Sequence, residues 1–73
     1  MHTTESFFFG GYDLVCCANA TLSGRYYPSL VVMKRVWPTR PRTIDLARES
    51  FSSKALAIDA ARCRGIEWVT EFG

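Results

Sequence analysis

The run Leu30-Val31-Val32-Met33 is held between Pro28 on one side and the Trp37-Pro38 pair on the other. Proline has no N–H to give to a ladder, so these residues confine the apolar run to one extended segment, residues 26–36. Side chains alternate along a strand. Val31 and Met33 therefore share one face, and Leu30 and Val32 share the other. A strand that is apolar on both sides belongs in the middle of a sheet, and both faces of that sheet need cover.

The neighbouring segments supply the rest of a meander. Residues 12–17, YDLVCC, are short, apolar and partly β-branched, as a strand requires, and Asn19, Ser23 and Gly24 mark the loop after them. Pro38 and Pro41 push WPTRP out of the ladder and place a hairpin turn there, and residues 42–48 follow with Ile44 and Leu46 as the inward positions of a half-buried third strand. A helix is expected over residues 52–64, capped by Ser52, with Phe51 and Leu56 as a staple and Leu56, Ala60 and Cys63 as the inward stripe. Gly65 suits the left-handed position after the helix, and residues 66–69 read as a short strand or extended segment that drops Trp68 onto the core. Residues 1–9 follow no period before the Gly10-Gly11 break, and are expected to form a flexible or docking arm. The fold class is thus α+β: a three-stranded antiparallel β-meander packed on one α-helix, with a short C-terminal strand as an option, in a domain spanning residues 10–73.

A chain of 73 residues holds one domain, and such a domain buries about 60% of the surface its unfolded form exposes. Ten aromatic side chains compensate for that small core. Hydrophobic residues make up 48% and charged residues 22%, which excludes a disordered chain. Cys16, Cys17 and Cys63 are an odd set, and two adjacent cysteines on a strand point to opposite faces, so no disulfide framework is legible and a cytoplasmic setting is expected. The first residues carry neither a basic leader nor an apolar span, so no membrane association is expected.

Chemistry is sparse. The one histidine is His2, in the expected arm, so no acid–base–nucleophile set can be assembled and no enzyme activity is expected. No Cys-x-x-Cys or His-x-x-x-His spacing suggests a metal, and Gly10-Gly11 precedes a strand rather than a helix, so neither metal nor nucleotide cofactor is assigned. Charge is uneven. The net charge is only +2, but Arg25, Lys34, Arg35, Arg40 and Arg42 stand between residues 25 and 42 without an acid among them. With Trp37 beside them they form the mixture that grips phosphates and stacks bases. The plainer reading, a solvated hairpin whose cations discourage edge pairing, is preferred. Phe7, Phe8 and Phe9 have two readings: a lid folded over the uncovered sheet face, or a surface that docks on another chain. Three consecutive phenylalanines cannot all point inward from an extended arm, which tips the balance toward a twofold dimer. The expected function is a non-catalytic binding or protein-interaction module whose partner is another protein or a second copy; nucleic-acid binding by the basic hairpin is the alternative.

Phe51-Ser52-Ser53, the alanines at 55, 57, 60 and 61, and the closing Gly65-Ile66-Glu67-Trp68-Val69 resemble small uncharacterised bacterial single-domain proteins of strand–strand–strand–helix pattern, over roughly residues 11–70. The order of elements also looks like that of HicB-type antitoxins and, more distantly, of double-stranded RNA-binding domains. Against the antitoxin pattern, Pro28-Ser29-Leu30 stands in another register where proline-aspartate-leucine is expected; against the RNA-binding domain, the first helix is missing. The resemblance implies an architecture and no activity.

Overall fold

The computed structural model describes residues 2–44, 46 and 49–73. Gly10 and Gly11 both take positive φ, 58° and 83°, as the two central residues of a tight hairpin turn must. They join strand β1 (His2–Phe9) to β2 (Tyr12–Ala20). Residues 2–9 are therefore a strand, where the sequence suggested an arm without regular structure. Their own pattern is silent because an edge strand needs no apolar alternation; the Gly-Gly turn and the register against β2 make the strand.

Thr21 and Gly24 close the next turn, with Thr21 N–H donating to the Arg25 carbonyl at 2.9 Å and Gly24 at φ 80°. Strand β3 follows (Tyr26–Lys34), then a proline-rich connection and the short β4 (Arg42–Ile44). All neighbours pair antiparallel in the order β1-β2-β3-β4, an open meander with one strand more than expected. The expected third strand over 42–48 is present as Arg42–Ile44; Asp45, Ala47 and Arg48 lie outside the described residues.

Helix α1 runs over Lys54–Phe72, so it starts later and ends later than expected. Ser53 is the cap, its hydroxyl accepting from Leu56 N–H at 3.2 Å. Phe51 instead bridges to Tyr26 through two backbone hydrogen bonds of 2.8 and 2.9 Å, which fasten the helix entry to the start of β3. Gly65 does not end the helix. It lies buried inside it, and a Cβ there would sit 3.0 Å from Leu14 Cδ1. A mid-helix glycine costs about 1 kcal/mol relative to alanine, and here it lets the helix press on β2. Residues 66–69 continue as helix, and Trp68 still reaches the core edge.

The inward stripe also differs. Ala57, Ile58, Ala61, Gly65 and Val69 are buried, whereas Leu56 is 51% exposed and Cys63 is exposed. Small residues at 57, 61 and 65, spaced by four, form a flat ridge that approaches the sheet more closely than one built on Leu56. On the sheet side they meet Leu14, Cys16, Ala18, Leu30, Val32 and Ile44. The helix covers this face and leaves the other uncovered, since Val15, Val31 and Met33 are only half-buried. No described helix is long and apolar enough to cross a membrane.

Candidate functional site

Where β3 leaves the sheet, the Lys34 N–H donates to the Thr39 carbonyl at 2.9 Å and closes the base of the connection to β4. Arg40 follows with φ 43°, a left-handed backbone that costs a residue bearing a side chain about 1–2 kcal/mol. Register places Lys34 beside Tyr12 and Arg42 beside Val32, all on the helix side of the sheet. The last turns of α1 add Trp68 and Phe72. Together these residues line a cleft of about 410 Å³ with Val32 also in its wall. Its aromatic side is a connected group: Tyr12 meets Trp68 edge-on at 5.9 Å between ring centres, and Trp68 meets Phe72 at 5.7 Å.

The cations of residues 25–42 thus separate into distinct places. Lys34, Arg40 and Arg42 converge on the cleft. Arg35 lies on the opposite side of the sheet, 2.9 Å from Asp13 and with its guanidinium 4.3 Å from the centre of the Phe8 ring. Arg25 sits at the far end of β3, donating to the Ser50 hydroxyl and carbonyl at 2.5 and 2.7 Å. Trp37 is 86% exposed on the connection, where a second hollow is shared with Lys34 and Arg40. Sequence reading missed Tyr12, Trp68 and Phe72 as part of this group. Their only signal was aromatic character, which serves a core equally well.

The three phenylalanines part company as well. Phe7 turns to the helix side and packs against the core edge, with Arg62 5.6 Å from its ring centre. Phe9, opposite Tyr12, is on that side too, at 38% exposed, while Phe8 lies on the uncovered face at 57% exposed. That face continues through Val15, Cys17, Tyr27, Val31 and Met33, with Thr4, Ser6, Ser29 and Thr43 between them. Its charges, Asp13 and Arg35, neutralise each other at one end.

The cysteines divide by the same alternation. Cys16 is fully buried under the helix, and burial, reinforced by the neighbouring Cys17, pushes its thiol up to about 11. Cys17 is half-buried on the uncovered face, 3.3 Å from the Thr4 hydroxyl. Among the described residues, no three His, Cys, Asp or Glu side chains gather as a metal site would require. No protein-family model matches the chain, nor does any curated protein or solved structure at a significant level.

Proposed function

We propose that this protein is a non-catalytic interaction module whose uncovered sheet face takes a second copy of the chain. The observation that carries the reading is the one-sided cover: the helix buries Leu14, Leu30 and Val32, while Phe8, Val15, Tyr27, Val31 and Met33 remain partly open to water on the other side. Size and charge favour a second copy. Strands of eight and nine residues extend about 27 Å at roughly 3.3 Å per residue, and neighbouring strands stand about 4.8 Å apart. A twofold contact over such a face approaches the lower range of specific interfaces, about 1,200 Å² in total. Two copies meet without repulsion, because the ion pair described on the face, Asp13 with Arg35, is internally neutral. The free thiols of Cys16, Cys17 and Cys63 support a reducing compartment such as the cytoplasm.

Sedimentation equilibrium tests the reading. The mass should rise toward twice that of the chain with increasing concentration, and Val31→Lys should return it to the monomer while circular dichroism stays unchanged. Val15→Lys, on the neighbouring strand, serves as a second variant. A monomer at every concentration, or a dimer indifferent to both lysines, overturns it.

A further inference from the structure

The cleft between β3, β4 and the end of α1 lies on the helix side of the sheet, away from the face proposed to pair, and it carries an unbalanced charge. Elsewhere the described arginines all have partners. Arg25 is held by Ser50, Arg35 by Asp13 and Arg62 by Asp59, and Arg64 lies 3.7 Å from Glu67. Among the described residues, Arg40 and Arg42, with Lys34, have no carboxylate within 4.0 Å, and no described acid lines the cleft they share. Like charges gathered without a counter-charge repel one another, and the arrangement becomes favourable when an anion enters.

The rest of the lining specifies what the anion is attached to. Tyr12, Trp68 and Phe72 offer apolar rings, and Phe72 is 66% exposed, so a flat surface is open to stacking. A volume of about 410 Å³ falls within the range of small-molecule sites. Three cations match a phosphate monoester, at about −1.5 to −2, or two successive phosphodiesters of a strand, at about −1 each, better than a single carboxylate at about −1, and arginine's planar fork fits phosphate oxygens.

We infer that this cleft binds a planar ring bearing a phosphate, the chemistry of a nucleotide unit. The aromatic wall of Tyr12, Trp68 and Phe72 takes the ring, and Lys34, Arg40 and Arg42 take the phosphate. Two sources offer that unit, a free mononucleotide and a nucleotide within a single strand. The second hollow distinguishes them. It shares Lys34 and Arg40 with the cleft and is walled by Trp37, so a strand reaches both tryptophans and a mononucleotide reaches only Trp68.

The two indole N–H signals in a nitrogen–proton correlation spectrum, assigned with Trp37→Phe, provide the readout. Adenosine monophosphate, adenosine, inorganic phosphate and a short single-stranded oligoadenylate are titrated separately at low ionic strength into the full chain. The monophosphate should shift the Trp68 signal saturably. Adenosine alone and phosphate alone should bind more weakly, and Arg42→Gln or Arg40→Gln should weaken binding about tenfold, as expected on losing a charge-assisted contact. Arg25→Gln, at the far end of β3, should leave binding unchanged. Movement of both indoles with the oligonucleotide assigns the source to a strand; movement of Trp68 alone with the monophosphate assigns it to the free nucleotide. The inference is overturned if neither phosphorylated probe moves Trp68, if adenosine binds as well as its monophosphate, or if Arg25→Gln weakens binding as much as Arg42→Gln. Arg40 and Arg42 are exposed, so these substitutions leave the core intact, and unchanged circular dichroism verifies that.

Discussion

The two faces of the sheet are built from the same three long strands, yet they differ in what covers them. On the helix side Leu14, Cys16, Ala18 and Leu30 are fully buried, and Val32 nearly so. One residue along, Val15, Cys17, Val31 and Met33 are only half-buried. Their composition is similar. The difference arises because one nineteen-residue helix has a single inward face, and it teaches that hydrophobicity marks a position as buriable without saying what will bury it.

The comparison breaks most sharply in the centre of β3. Leu30→Ala should cost about 3 kcal/mol, because it opens a cavity under the helix that rigid neighbours cannot fill. Val31→Ala, one position along and half-exposed, should cost less than about 1 kcal/mol when unfolding is followed in denaturant at a concentration low enough to keep the chain monomeric. Equal losses would mean that the open face is as well covered as the other.

Cys16 and Cys17 carry the comparison into pH. The folded chain holds the Cys16 proton up to about pH 11, against an ordinary value of 9.0. Between those limits the unfolded chain binds fewer protons than the folded one, so stability declines as pH rises. The contribution is intact below pH 9 and lost toward pH 11, by roughly 2 kcal/mol. Cys16→Ala should flatten that part of the stability profile relative to the parent, and Cys17→Ala, which removes the smaller of the two contributions that raise the Cys16 thiol, should flatten it only in part.

The smallest effect lies at the contact between helix and sheet. Gly65→Ala gains helix propensity but sets a methyl group 3.0 and 3.1 Å from the two methyls of Leu14, a fully buried side chain. Overpacking outweighs propensity, for a net loss of about 1 kcal/mol in thermal or denaturant unfolding. Combined with Leu14→Ala, which removes those methyls, the same change should cost less than the sum of the two. Strict additivity would show that the helix does not rest on Leu14.

Much of the architecture was legible because local signals agreed with one another. Pro28, Trp37-Pro38 and the apolar run between them mark β3; serines before an alanine-rich segment mark the helix. The misreadings share a cause. In sequence Gly65 and Gly10-Gly11 look like breaks, although glycine serves equally where two elements approach closely or where both central residues of a hairpin turn need positive φ. Leu56 and Cys63 look inward in sequence because they are apolar, but the small residues 57, 61 and 65 permit the closer approach. The cleft was half visible: Lys34, Arg40 and Arg42 stood out as charge, while Tyr12, Trp68 and Phe72 come from distant parts of the chain.

Strand periodicity, proline placement and the run of helix formers are properties of neighbouring residues, and they were enough to define an α+β meander with a single helix. Which side of that helix faces the sheet, whether residues 2–9 pair, and which cations find partners depend on contacts between residues far apart in sequence. Those choices follow from shape and distance. Leu14 fits against Gly65, Phe9 stands opposite Tyr12, and Arg42 comes to Trp68 only after the chain has closed its meander and laid the helix across it.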